Sequence, residues 1–140
     1  MMAALQQIPA SSQRRFSEIV LSAPDIDADV FKRIAAQIRT PVNRVTLYAS
    51  SKDDAIIASK KVHGFPRAGE SGEHIVIMNG VDTVDATSVE TAFIGHFYYA
   101  DNLSVLSDVF YLFRDHKPPT ERFGLSQMQA KAGVYWAFRH

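Results

Sequence analysis

Cysteine is absent from the 140 residues, which excludes a disulfide framework, a thiolate nucleophile, Cys-ligated zinc and cysteine-held iron–sulfur clusters. Net charge is absent as well: 15 Lys and Arg balance 15 Asp and Glu, so no long-range positive field gathers phosphates, which argues against nucleic acid as the main partner. No apolar run approaches the ~18 residues that a bilayer span requires, so no membrane segment is expected. No secretory leader is expected within Met1–Ala10 either, since its apolar stretch runs only from Met1 to Leu5 with no basic segment before it. As written, the chain is expected to be cytoplasmic; an export signal would belong to a longer form. With only 7 Gly and 6 Pro it is neither collagenous nor low-complexity, and it holds no internal repeat. What is there, 46% hydrophobic and 21% charged residues, fits one globular domain over residues 1–140.

The order of elements reads as alternating α and β. Met1 to Ile8 (MMAALQQI) has the composition of a helix's last turns, ending before Pro9. Arg15 to Ala23 reads as a strand whose centre, Ile19-Val20-Leu21, is continuously apolar, as in a parallel sheet covered on both faces. Asp27 can cap a helix in which Phe31, Ile34, Ala35 and Ile38 share a face. Asn43 to Ser50 reads as a second strand, Asp53 to Val62 as a second helix stopped by Gly64. His74 to Met78 (HIVIM) reads as a third strand ending at the turn pair Asn79-Gly80. A long helix from Asp101 or Asn102 to about Arg114 is expected to turn Leu103, Leu106, Val109, Phe110 and Phe113 inward. The tail is less regular, although Gly133 to Phe138 (GVYWAF) suits a final strand or an apolar flap. The expected sheet is largely parallel, with right-handed crossovers.

In open parallel α/β sheets ligands bind at the carboxyl ends of the strands. There the sequence offers Asp25 and Asp27 after the first strand, Asp53 and Asp54 after the second, and Asp82, with His96 further on, after the third. Asp27 suits a helix N-cap, and Asp53 and Asp54 suit the positive end of a helix dipole, without any catalysis. Asp25, Asp27 and Asp29 are not a calcium loop, because Val30 and Ala36 stand where its glycine and its bidentate glutamate belong. Among the five histidines, His96 stands apart: it follows Gly95, lies among Phe93, Ile94, Phe97, Tyr98 and Tyr99, and precedes a helix cap.

Five stretches taken together resemble the C-terminal half of functionally uncharacterised bacterial α/β-hydrolases of the esterase/lipase kind. They are Ala23–Phe31 (APDIDADVF), Val45–Asp53 (VTLYASSKD), His63–Gly69 (HGFPRAG), Gly80–Ala86 (GVDTVDA) and Gly95–Asn102 (GHFYYADN). The resemblance implies a partial α/β-hydrolase fold of three or four mostly parallel strands with flanking helices, the N-terminal strands missing. It also implies a serine triad in the order Ser, acid, His, with Asp53 as the acid and His96 as the base. Asp54, Asp25 and Asp82 are the fallback acids. No cofactor or metal is implied, and the substrate is a small ester-like molecule met by the full-length protein. This sequence departs from the pattern in having no G-x-S-x-G; the nearest string, Gly69-Glu-Ser-Gly72, puts Ser71 in a loop and out of register. The chain alone is therefore expected to be inactive, an incomplete C-terminal portion that supplies acid and histidine. An unpaired sheet edge is expected to favour self-association.

Two other readings compete. A haloacid-dehalogenase-like phosphatase would use Asp25 and Asp27, Ser50, Lys60 and the pair Asp82 and Asp85 around Mg²⁺, but Asp29 occupies the place of a Thr or Val. A non-catalytic α/β binding module would present an edge strand or the aromatic tail of Tyr135, Trp136 and Phe138.

Overall fold

The computed structural model describes residues 18–37, 44–52, 54–89 and 103–139. Strands β1 (Glu18–Ser22), β2 (Arg44–Ala49), β3 (Val81–Asp85), β4 (Leu125–Ala130) and β5 (Gly133–Phe138) form one sheet in the order β1-β2-β3-β5-β4. The β1–β2, β2–β3 and β3–β5 pairs are parallel, and β4 runs antiparallel to β5. Helices α1 (Ala28–Gln37), α2 (Asp54–His63) and α3 (Leu103–Asp115) flank it. This is the partial α/β-hydrolase architecture that the resemblance implies, with five strands rather than three or four. The helix expected over residues 1–8 lies outside the described residues. No described helix is long and apolar enough to cross a membrane.

Alternation along the strands divides the apolar side chains between two cores. Ile19 and Leu21 of β1 and Val45 and Leu47 of β2 face Ala28 and Phe31 of α1. On the opposite face Tyr48 and Val84 meet Val105 of α3 together with Leu125 and Phe138 of the β4–β5 hairpin. The uninterrupted apolar run in β1 follows from this two-sided cover. Asp27 caps α1, its Oδ1 accepting from the backbone N–H of Asp29 at 2.9 Å and of Val30 at 3.1 Å. Gly64, at φ 73°, closes α2 in the left-handed conformation open to glycine.

Two expectations are corrected. The third strand is not His74–Met78 but Val81–Asp85, on the far side of the Asn79-Gly80 turn, across which Met78 bridges to Val81. Ile75 and Val76 are buried without joining the ladder, and Thr83 Oγ1 donates to the Val76 carbonyl at 2.6 Å. A short apolar run marks burial but not pairing. The polar-looking VDTVD can take the ladder because its acids have partners: Arg44 Nη1 lies 2.6 Å from Asp82, and the Thr87 N–H donates to Asp85 at 2.9 Å.

The second correction concerns α3, whose buried residues are Val105, Asp108 and Leu112, while Val109, expected inward, packs half-buried against the same core. Leu106, Phe110 and Phe113, expected to point inward, are 45%, 55% and 52% exposed. The helix is rotated because Asp108 is buried between Tyr48 and Arg122, which hydrophobic periodicity reads as a surface position.

The tail is more regular than expected: GVYWAF is β5, the final strand that its composition suits, and LSQMQA pairs with it as β4 in a hairpin. Phe138 is buried and stacks on Tyr48 with centroids 6.5 Å apart, and Trp136 packs against the same core. The aromatic tail is therefore largely core rather than a free binding patch.

Candidate active site

Parallel pairing brings the carboxyl ends of β1, β2 and β3 to one edge of the sheet, and the chain between α2 and β3 laces the first two of these ends together. From that segment Gly69 N–H donates to Pro24 O at 2.9 Å, and Ala68 N–H to Ile26 O at 2.7 Å. Its Gly69 carbonyl accepts from Ser50 N–H at 2.9 Å, and Ala28 N–H donates to Pro66 O at 2.9 Å. The contact is backbone on backbone: a Cβ on Gly69 would lie 2.4 Å from the carbonyl carbon of Ala23 and 2.7 Å from Pro24 N. Glycine is required there for close approach rather than for an unusual φ. Arg67, largely buried, adds an ion pair at 2.9 Å to Asp25.

The turn after β2 is held from the other side as well. Ser51 N–H donates to Thr87 Oγ1 at 2.9 Å, and Ala86 N–H donates to Ala49 O at 2.8 Å. Asp85, the last residue of β3, accepts from Thr87 N–H and so orients the threonine that receives Ser51. Within the turn Ser50 Oγ accepts from Lys52 N–H at 3.0 Å. Two neighbouring segments and one internal hydrogen bond thus fix Ser50-Ser51-Lys52, the residues that lead into position 53.

Beside this turn a cleft of about 450 Å³ opens between α2 and the loop. Its walls include Ser51, Ile56 and Ile57, and the Lys60–Glu70 ion pair at 2.6 Å lies along it. A second cavity, of about 500 Å³, lies between α3 and the hairpin, bounded by Ser104, Asp108, Tyr111 and Phe138. The first suits an apolar group with polar atoms near its mouth.

The predicted site residues separate clearly. Asp53 and His96 lie outside the described residues, as do Gly95 and the aromatic residues around His96. Asp54 begins α2. Asp25 sits at the carboxyl edge, where the Ser59 hydroxyl, then the Arg67 guanidinium and His63, hold its carboxyl below the usual range despite some burial. It is thus committed to its ion pair. Asp82 is corrected: as the second residue of β3, bonded to Arg44 at the start of β2, it belongs to the amino half of the sheet, away from the other candidates. The phosphatase alternative accordingly loses one of its paired acids, and its Asp27 is occupied as an N-cap. Ser71 is 4% exposed, and its Oγ has no hydrogen-bond partner among the described residues. His63 and His74 are exposed, and His116 is near the opposite edge, its Nδ1 2.9 Å from Glu18 Oε1.

Sequence reasoning overlooked Thr87 and Arg67. The signal for Arg67 was the compact HGFPRAG string, whose Pro66 and Gly69 mark a constrained loop; Thr87 carries no motif.

A family model described as alpha/beta hydrolase of unknown function (DUF900) matches residues 1–112. No curated protein and no solved structure gives a match.

Proposed function

The chain belongs to this α/β-hydrolase family, and from that membership we propose that it supplies the acid and the histidine of a serine hydrolase acting on ester or related acyl bonds of small molecules. In this reading Asp53 holds the imidazole of His96 in the required tautomer. His96 takes the proton of a serine and later returns it to the leaving group. The serine is not among these 140 residues, since no G-x-S-x-G occurs in them. The observation that supports the reading most directly is the doubly anchored turn Ser50-Ser51-Lys52, which lies at the carboxyl edge immediately before Asp53 in the sequence. A catalytic carboxylate needs such a rigid base, because small displacements of a positioned group cost large factors in rate. The adjoining cleft would accept the apolar part of a substrate.

The test is an NMR titration of His96 in the chain and in its Asp53→Asn variant. A paired carboxylate favours the imidazolium, so the substitution lowers the His96 midpoint. A midpoint unmoved by Asp53→Asn overturns the pairing. The 140 residues alone are expected not to turn over p-nitrophenyl esters, and turnover abolished by His96→Ala would show a nucleophile within them.

A further inference from the structure

Among the described residues strand β4 ends the sheet, and it has no charge, proline or bulge of the kind that keeps an edge from pairing. Leu125–Ala130 reads LSQMQA, with no charged residue and no proline. Its residues pair one to one with β5, from Leu125 opposite Phe138 to Ala130 opposite Gly133, so no bulge turns the strand away. Gln127, Met128 and Gln129 are exposed, and the sheet order stops at β4. Natural edges of this length are ordinarily broken by Lys, Pro, a bulge or a covering segment, because free N–H and C=O groups invite another strand.

The strand also complements itself. Antiparallel pairing about a two-fold axis at Met128 sets Met128 against its copy and Gln127 against Gln129 of the second copy. Each glutamine amide offers both a donor and an acceptor to its counterpart. Lys131, the first charge beyond the strand, would fall opposite Leu125, so no like charges meet. With a formal net charge of zero, two copies approach without long-range repulsion. We propose that β4 is a self-association surface, and that two copies join β4 to β4 in an isologous dimer with one continuous sheet.

Light scattering coupled to gel filtration tests this on the 140-residue chain over a range of concentrations. The expected result is a species of twice the monomer mass, converted to monomer by Met128→Lys with an unchanged far-UV circular dichroism spectrum. Because the chain has no cysteine, Met128→Cys carries a single thiol on the two-fold axis. Mild oxidation should join it to its copy faster than Phe110→Cys, placed on the exposed face of α3. A chain monomeric at every concentration, a dimer that survives Met128→Lys, or Phe110→Cys cross-linking at least as fast would each overturn the proposal. Should Met128→Lys fail to fold, Gln129→Lys takes its place and the cross-linking comparison decides.

Discussion

The hydroxyl of Tyr48, in β2, donates to Oδ2 of Asp108 on α3, and Nη1 of Arg122 reaches the same oxygen from 3.2 Å. All three residues are buried, so this polar cluster joins β2, α3 and the segment before β4 inside an apolar layer. Tyr48→Phe removes one donor while Arg122 still pairs with the carboxylate, and should cost about 1–2 kcal/mol. Arg122→Met leaves the carboxylate buried without its cation and should cost about 3–5 kcal/mol. Urea denaturation of the two variants separates these outcomes; equal losses would contradict the assignment of Arg122 as the main counter-charge.

Stability should depend on pH through two aspartates with opposite signs. Burial raises the Asp108 carboxyl above its ordinary value, although Arg122 and Tyr48 pull it down. The folded state therefore holds that proton more tightly than the unfolded chain, and its contribution is lost as pH rises through the folded value. Asp25 is lowered by Ser59 and Arg67, so its contribution is present above the ordinary carboxylate range and is lost as pH falls through its folded value. Denaturation series across the acidic range should show wild type losing ground to Asp108→Asn as pH rises and to Asp25→Asn as pH falls.

Gly69→Ala should destabilise the chain by about 2 kcal/mol or more, because backbone atoms rather than a flexible side chain occupy the space of the new Cβ. The loss should be accompanied by faster amide exchange at Ser50, whose N–H donates to Gly69 O. A change below about 0.5 kcal/mol, the range of ordinary surface substitutions, would mean that the close approach is not maintained.

The orientation of α3 yields a paired prediction. Leu112→Ala should cost about 2–5 kcal/mol, as the side chain is fully buried. Phe110→Ser, on the half-exposed face, should change stability by no more than about 0.5 kcal/mol. Thermal or urea midpoints decide, and the reverse ranking would restore the rotation that hydrophobic periodicity suggests.

Where local chemistry and burial agree, the sequence was readable. Ile19-Val20-Leu21 announced a strand covered on both faces, Asp27 announced a cap, and Gly64 a helix end; each is found where expected. Reading failed where a distant partner reverses the local signal. Val81–Asp85 looks too polar for a central strand until Arg44 and Thr87 answer its acids. Asp108 looks like a surface residue until Tyr48 and Arg122 enclose it. The edge that gathers Asp25 and the end of β2 was foreseen from the parallel topology, whereas the anchoring of Ser51 by Thr87 was not, because no spacing within the sequence encodes a contact across two strands.

The second core has a consequence for the order in which the chain can fold. Tyr48 stacks on Phe138, and β3 pairs along its outer side with β5 rather than with a neighbour in sequence. During synthesis β1, β2 and α1 can assemble their own face early, but the other face lacks its closing strand until β5 has been made. Val84 and Val105 must wait for Leu125 and Phe138 to arrive. Closing so distant a contact is slow compared with local structure, and the apolar surface is open meanwhile. Completion of this layer thus comes after that of the first face, and the half-finished sheet is the species that chaperones or proteases would meet first.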